Sequence, residues 1–247
     1  MKTHLCSKWL IGASISLFAL GVQAQELGAL ILDGKPVPAN SDVSKAMMFV
    51  SVQGGTCSGV AISKTHVLTA GHCVDKKPRT SQIVVYKGSN KKRASAVKSY
   101  EIHPGYGMEN SYVKADLAVL KMSSAFGSDV VPAAITGSEL PEGLELIAAG
   151  FGYSNRAKTR IRTLLQESFF FGQTAEMKPG RFSDGSRLLR LWGSNNLCQG
   201  DSGGATFRRT SSGLRTVGIH SMADCDTRGY DVFVLDYTSW IKAQLAK

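Results

Sequence analysis

Three short segments constrain this chain more than any other feature, because together they place a histidine, an aspartate and a serine in a fixed order. The segments are LTAGHC at 68–73, DLAVL at 116–120 and GDSGG at 200–204. His72, Asp116 and Ser202 are separated by 44 and 86 residues. A serine hydroxyl is a weak nucleophile at neutral pH and needs an adjacent base, and a histidine can take its proton and return it. The segments therefore predict a fold that gathers distant residues into one catalytic site.

Runs rich in Val, Ile and Phe between turn residues favour β-strands over helices. With 247 residues, 43% of them hydrophobic, the chain is long and apolar enough for a real core, and a 19% share of charged residues argues against disorder. The first set of predicted strands covers 46–53, 57–63, 66–70, 82–86, 95–102 and 116–122. The second set covers 144–151, 163–171, 188–192, 204–207, 215–221 and 230–235.

These two sets predict an all-β fold of two six-stranded antiparallel β-barrels, with the active site in the cleft between them. The segment 123–143 is expected to cross from barrel one (about 31–127) to barrel two (about 128–247). A C-terminal helix is predicted over 236–246, with Asp236 as its N-cap.

The first 24 residues are typical of a signal peptide. Lys2 and Lys8 are basic, residues 9–20 are apolar, and Val22-Gln23-Ala24 is a small-residue cleavage site. The apolar run is too short to span a membrane, so we expect a secreted or periplasmic protein without a membrane anchor. Removal of residues 1–24 lowers the net charge from +10 to +8.

Four of the five cysteines remain after removal of the signal peptide, which fits an oxidising compartment. Four cysteines allow three disulfide pairings. A zinc site is disfavoured because no pair has close ligand spacing.

The three segments together resemble those of the chymotrypsin/trypsin family of serine endopeptidases. The resemblance runs from about Ile31 to the end of the chain. Weaker matches are ILDG at 31–34, IHPGY at 102–106, GFG at 150–152 and YTSWI at 237–241.

The resemblance implies a nucleophile at Ser202, a general acid and base at His72, and an orienting acid at Asp116. The backbone N–H groups of Gly200 and Ser202 would form the oxyanion hole. The family pattern also selects the disulfides, which would join Cys57 to Cys73 and Cys198 to Cys225.

The resemblance further implies that the chain is a zymogen. Residues 25–30 would be a short activation peptide, and 31–247 would be the peptidase domain. Asp201 would pair with the α-amino group that cleavage creates at Ile31. Leu30 is not the basic residue that trypsin-like activators prefer, so either a different protease cleaves there or the chain needs no activation. The alternative is that Asp201 is simply an acid in a turn.

The expected specificity pocket departs from that of the trypsins. Asn196 stands where trypsins carry an aspartate that pairs with substrate Arg or Lys, which favours a medium, uncharged or amphipathic P1 residue. The alternative is that Asp231, or Asp224 or Asp226 in a shifted alignment, restores an acidic pocket and a preference for basic residues. Gly229 matches the glycine that opens the pocket, Ala223 replaces a wall glycine, and Ser221 matches a serine that supports the buried acid. His220 matches a histidine that contacts the substrate carboxylate in glutamate-specific members, and its alternative is a barrel residue with satisfied hydrogen bonds.

We expect protein or peptide substrates and protease inhibitors as partners. No nucleic-acid motif accompanies the positive charge, so we expect no specific nucleic acid. Lysines replace the carboxylates of the family's calcium loop, so we expect neither a metal nor another cofactor. The rival functions are a non-catalytic binding protein on the same fold and an esterase, whose usual chain order of serine, acid and histidine differs from this one.

Overall fold

The computed structural model describes residue 31 and residues 34–88, 92–153, 165–175, 181–193, 197–226 and 228–247. Within these residues the protein consists of two large β-sheets, one two-stranded ribbon and two short α-helices. The expected signal and activation peptides and Asn196 lie outside the described residues.

The elements of the N-terminal half are mostly short strands. They are β1 (Lys35–Pro36), α1 (Asp42–Ala46), β2 (Met47–Val52), β3 (Gly55–Ala61), β4 (His66–Thr69), β5 (Ile83–Lys87), β6 (Lys92–Arg93), β7 (Val97–Ile102), β8 (Gly107–Glu109), β9 (Tyr112–Lys114) and β10 (Ala118–Met122). Short 3-10 helices occur at Gly71–Cys73 and Thr80–Gln82.

The C-terminal half has longer strands and ends in a helix. Its elements are β11 (Ala134–Ile135), β12 (Leu144–Gly150), β13 (Gln166–Ala175), β14 (Leu188–Trp192), β15 (Ala205–Thr210), β16 (Gly213–Ala223), β17 (Gly229–Phe233), a 3-10 helix at Val234–Tyr237 and α2 (Thr238–Leu245).

The sheet of the C-terminal half closes into a six-stranded barrel. Its strands follow the order β13-β12-β15-β16-β17-β14, and β14 pairs back onto β13. These pairings are all antiparallel. Closure pairs both edges of the sheet, and β1 and β11 add short pairings to β13 and β16.

The sheet of the N-terminal half is a half-barrel with the order β6-β5-β2-β3-β4-β10-β7. Strand β7 does not pair with β5. Instead, the Tyr100 hydroxyl on β7 donates to the carbonyl of Pro78, in the segment that leads to β5. The predicted all-β, trypsin-like fold class is confirmed, with a closed ladder in the second sheet and an open one in the first.

Two hairpin turns show why the strands end where they do. Strands β2 and β3 are joined by Gln53 and Gly54, and strands β8 and β9 by Asn110 and Ser111. All four residues have positive φ. Positive φ at both central residues is the type I′ geometry, which matches the twist of the strands on either side.

One apolar cluster lies between the two sheets, in addition to the core of each sheet. The rings of Phe49 on β2 and Phe151 after β12 meet edge to face with their centroids 5.6 Å apart. Leu68 on β4 and Phe207 on β15 are buried in the same cluster. This packing fixes the end of β4 beside the loop that precedes β15, and these two places carry the predicted histidine and serine.

The C-terminal helix is present, but the prediction that Asp236 is its N-cap is wrong. Asp236 lies in the preceding 3-10 turn, and the N-cap position of α2 is Tyr237. The Asp236 carboxylate accepts hydrogen bonds from the backbone and guanidinium of Arg187 instead. This ion pair ties the helix entry to the segment before β14.

Candidate active site

Two hydrogen bonds hold His72 and Asp116 together at the ends of neighbouring strands. His72 lies in the 3-10 turn after β4, and Asp116 lies two residues before β10, which pairs with β4. The imidazole Nδ1 donates to Asp116 Oδ2 over 2.7 Å, and the His72 backbone N–H donates to Oδ1 over 2.8 Å. With Nδ1 as the donor, Nε2 is left as the nitrogen that can accept a proton.

Asp116 is fully buried, and a third donor reaches it from the other sheet. The hydroxyl of Ser221 on β16 donates to Asp116 Oδ2 over 2.6 Å. A carboxylate removed from water needs such donors, because an unsatisfied buried charge is costly. Ser221, which we predicted to support the acid, contacts it directly.

The environment of His72 favours the protonated ring. Burial lowers the pKa of His72, but the hydrogen bond and charge of Asp116, with a further contribution from Asp75, raise it above the ordinary value. The side chain stays about a third exposed, with a fractional exposure of 32%. The ring is therefore a base that solvent or a substrate can reach.

The loop that carries Ser202 is fastened to the first sheet by its backbone. The Ser202 carbonyl accepts from the Ser58 N–H on β3 over 2.8 Å. The Ser58 hydroxyl donates to the Gly200 carbonyl and accepts from the Phe151 N–H, both over 2.9 Å. Ser58 was missed in the sequence analysis, and its one signal is its place directly after Cys57.

The glycines of this loop are required by its geometry. Gly200 and Gly203 have φ of +93° and +78°, which other residues rarely adopt. A Cβ on Gly203 would overlap Thr69 Oγ1 and the Ser58 carbonyl, and one on Gly200 would come within 2.9 Å of Gly152 Cα. The close approach of the loop to the first sheet thus depends on these two residues.

Asp201 is buried and is bound by backbone amides. Its carboxylate accepts from the Gly152 N–H over 2.8 Å and from the Cys198 N–H over 3.0 Å. Burial raises the pKa of Asp201 to about 6, against the opposing effects of these amides and of His220. Ile31 is buried in the apolar core of the second barrel, and its carbonyl accepts from the Gly34 N–H.

A cavity of about 420 Å³ opens beside Ser202. Leu197, Met222 and Ala223 give it apolar walls, and Ser221 also borders it. Asp224 lies at its rim, where the carboxylate accepts from the backbone N–H groups of Asp226 and Arg228. The cavity joins several of the predicted pocket residues to the serine.

Two other predicted pocket residues lie deeper. His220 borders the cavity, but its side chain is 3% exposed and its Nδ1 contacts Asp231 Oδ1 at 2.8 Å. A Cβ on Gly229 would lie 2.9 Å from Leu197 Cδ1, so this glycine packs against the cavity wall. Asp231 is engaged with His220.

Both expected disulfides are confirmed. Cys57 is joined to Cys73, and Cys198 to Cys225. The first bond ends beside His72, and the second brackets the Ser202 loop. In the part of the chain that the structure describes, Cys57, Cys73 and His72 carry atoms that could bind a metal, and these atoms lie within 4.8 Å of one another. Both sulfurs are bonded to each other in the disulfide and are not thiolate ligands.

Comparison with known proteins adds to this geometry. The sequence model of the family described as Trypsin matches residues 31–241. Coagulation factor XII of Sus scrofa is 26% identical over 75% of this chain and 35% of its own length. Serine protease SP24D of Anopheles gambiae is 28% identical over 78% of this chain and 73% of its own length.

A third relative covers more of the chain. Vitamin K-dependent protein C of Rattus norvegicus is 25% identical over 90% of this chain and 53% of its own length. The chain therefore spans about a third of factor XII and about half of protein C. No helix among the described residues is long and apolar enough to cross a membrane.

Proposed function

Because the chain belongs to the trypsin family, we propose that it is an exported serine endopeptidase that hydrolyses peptide bonds through an acyl-enzyme intermediate. The observation that carries the proposal is the 2.7 Å contact of His72 Nδ1 with buried Asp116. The glycine-containing loop at 200–204 places Ser202 at the wall of a cavity. Protein or peptide substrates and protease inhibitors are the partners that this activity implies.

In the first half of the reaction, Ser202 Oγ attacks the carbonyl carbon of the scissile bond while His72 Nε2 takes its proton. The Asp116 carboxylate holds the ring in the tautomer that leaves Nε2 free, and it stabilises the imidazolium that forms. The backbone N–H groups of Gly200 and Ser202 stabilise the negative charge on the carbonyl oxygen.

In the second half, the imidazolium returns the proton to the leaving amine, and the C–N bond breaks. A water molecule then attacks the acyl-enzyme with His72 again as the base, which releases the carboxylic acid and restores Ser202. The reaction needs no metal or other cofactor, because each proton that moves has a donor and an acceptor in the protein, the substrate or water.

For the maturation of the chain we propose cleavage of a signal peptide after Ala24 and a peptidase domain that begins at Ile31. The support is the match of the family from residue 31 onward. Amino-terminal sequencing of the active, secreted enzyme tests this proposal, and an active form that begins only at Gln25 would contradict the start at Ile31.

For specificity we propose a medium, uncharged or amphipathic P1 residue. Leu197, Met222 and Ala223 provide apolar walls, and Asp231 and Asp224 are engaged with other side chains or amides. We expect Ala223 to narrow the cavity only slightly, and Met222 to form a soft wall.

Mass spectrometry of a peptide library treated with the wild-type protein and with Ser202→Ala tests activity and specificity together. We expect wild-type cleavage after uncharged residues and none by the variant. Equal cleavage by the two proteins would refute the role of Ser202. Cleavage dominated by Arg and Lys at P1 would refute only the specificity.

A further inference from the structure

Two arginines lie directly opposite each other on neighbouring strands of the closed barrel. Arg208 on β15 and Arg215 on β16 are partners in the antiparallel ladder, and both are half-buried. Side chains that are directly opposite project from the same face of a sheet, and two like charges there destabilise the pairing of the strands. The sheet therefore holds two positive charges together at a cost in stability.

No carboxylate of the protein compensates these two charges. Among the described residues, neither Arg208 nor Arg215 forms an ion pair. Arg209, the next residue of β15, differs from them because it forms an ion pair with Asp42. Glu139 lies close in the chain to the same region, but both of its carboxylate oxygens accept from Arg187. The positive charge of Arg208 and Arg215 is therefore available to a ligand.

Both arginines line one cavity of about 370 Å³ on the surface of the barrel. The other residues that line it are small or carry hydroxyl groups, apart from one isoleucine: Ile135, Thr136, Gly137, Ser138, Thr210 and Ser212. No acidic residue lines this cavity in the part of the chain that the structure describes. It shares no lining residue with the cavity beside Ser202, so it is a separate site.

Hydroxyl groups hold the two guanidinium groups in place. Arg215 Nη2 donates to Ser212 Oγ over 3.1 Å, and Arg208 Nη1 contacts Ser138 Oγ at 3.4 Å. Ser212 Oγ is bonded in turn to Thr210 Oγ1 at 3.1 Å. A guanidinium has five N–H donors in a planar fork, so each arginine keeps most of its donors for a ligand. Such forks match the oxygen atoms of a phosphate or sulfate group.

The size of the cavity indicates that the anion is part of a larger molecule. Its volume lies within the range of about 300–1,000 Å³ that is typical of small-molecule sites. The hydroxyls of Ser138, Thr210 and Ser212 are polar partners for the rest of such a molecule. The lining therefore fits a polar, hydroxylated carrier such as a sugar better than an apolar one.

We propose that the cavity between Arg208 and Arg215 binds a phosphate or sulfate group, carried by a small polar molecule such as a sugar. The bound group neutralises the two arginines and leaves the cavity beside Ser202 open. This inference goes beyond the proposed peptidase activity and does not depend on it, because binding is measured without hydrolysis.

The test is isothermal titration calorimetry of the folded protein in a chloride buffer at neutral pH and fixed ionic strength. The probes are inorganic phosphate, a glucose monophosphate and a glucose monosulfate. Arg208→Gln and Arg215→Gln each remove one charge from the cavity. Arg209→Gln removes the same charge from the neighbouring residue of the strand and is the matched control.

We expect the wild type to bind one ester molecule per chain. Arg208→Gln and Arg215→Gln should each weaken binding by about tenfold or more, because each removes charged hydrogen-bond donors. Arg208→Lys should lose part of the affinity, since lysine keeps the charge but has no planar fork. Arg209→Gln should bind like the wild type, and saturating ester should not slow labelling of Ser202 by an organophosphonate.

Thermal unfolding gives a second readout that also separates binding from folding. Without ligand, Arg208→Gln and Arg215→Gln should unfold at the same temperature as the wild type or higher, because each removes a repulsion between like charges. Saturating ester should raise the Tm of the wild type and of Arg209→Gln, but not the Tm of the two cavity variants.

Four outcomes overturn the inference. Absence of binding to the folded wild type at millimolar ester would show that the cavity is not a site. Equal losses in all three glutamine variants would show an effect of net charge alone. A lower Tm of both unliganded cavity variants would make the arginines structural, and slower labelling of Ser202 would place the ligand in the other cavity. Tighter binding of inorganic phosphate than of either ester would refute the sugar-like carrier.

Discussion

At the scale of single residues, the site depends on how one buried carboxylate is satisfied. Asp116 accepts from the backbone and the ring of His72 and from the hydroxyl of Ser221. Ala115, just before it, has a φ of +49°, which is uncommon for a residue with a side chain. The backbone is therefore strained at Ala115, directly before the residue whose carboxylate contacts His72.

Replacement of Asp116 by Asn should lower kcat by about 10,000-fold, a loss typical of Ser-His-Asp proteases, because the amide no longer enforces the required tautomer. The wild-type acid limb of kcat/KM should have its midpoint above about 6.5, since neutral His72 is the active form and its pKa is raised. In Asp116→Asn the limb should shift to lower pH. The measurement is kcat/KM from pH 5 to 9, and an unshifted limb would contradict the role of Asp116.

Replacement of Ser221 by Ala should destabilise the protein by about 1–3 kcal/mol, because it leaves a buried carboxylate with one donor fewer. Urea unfolding measures this change. Ser212→Ala, at an exposed turn, is the control and should change the free energy of unfolding by less than about 0.5 kcal/mol. Equal stability of the two variants would show that the Ser221 hydrogen bond contributes nothing.

At the scale of elements, His72, Asp116 and Ser202 lie in turns and loops between strands, and the two sheets hold these segments in place. The Ser202 loop reaches the first sheet through Ser58 on β3 and reaches β16 through the backbone of His220. Its two glycines with positive φ allow both contacts at once. The conformation of this loop therefore depends directly on the glycines in its sequence.

Replacement of Gly203 by Ala should destabilise the protein by about 4 kcal/mol or more, because the added methyl group would overlap Thr69 and Ser58. Gly185→Ala separates strain from overlap, since Gly185 has a φ of +81° and open space around its Cα. The control should cost about 1–2 kcal/mol. Similar thermal unfolding of the two variants would show that the loop does not lie against the first sheet.

Removal of either disulfide by paired Cys→Ala replacement should lower the free energy of unfolding by about 3 kcal/mol, because the closed loops span 16 and 27 residues. Loss of Cys198–Cys225 should also reduce activity, since both cysteines border the cavity. Denaturant unfolding and kcat/KM of the two double variants are the measurements. Wild-type stability in both variants would show that the disulfides do not stabilise the fold.

The sequence predicted the long elements well and the very short ones poorly. All twelve predicted strands have counterparts, and the helix is present. The two-residue strands β1, β6 and β11 were missed because two residues carry no periodicity. The ribbon of β8 and β9 was also missed, although Asn110 and Ser111 are turn residues. Asp236 was misassigned because its partner, Arg187, is 49 residues away in sequence.

At the scale of the whole molecule, the site exists because two sheets pack against each other. His72 and Asp116 come from the half-barrel, whereas Ser221 and the Ser202 loop come from the closed barrel. The order of His, Asp and Ser in the sequence predicted that such distant residues would meet, and the hydrogen bond between His72 and Asp116 shows this for the first two. The contact of His220 with Asp231 could not be predicted from the sequence, because the pairing of β16 with β17 creates it.

The most direct test of the proposed function is covalent labelling of the folded protein with an organophosphonate, followed by peptide mass spectrometry. We expect one adduct per chain on Ser202, none in Ser202→Ala, and a greatly slowed reaction in His72→Ala, because the hydroxyl is reactive only beside its base. Ser211→Ala should label like the wild type. A wild-type protein that is folded but unlabelled, or labelled at another residue, would contradict the assignment of Ser202 as the nucleophile.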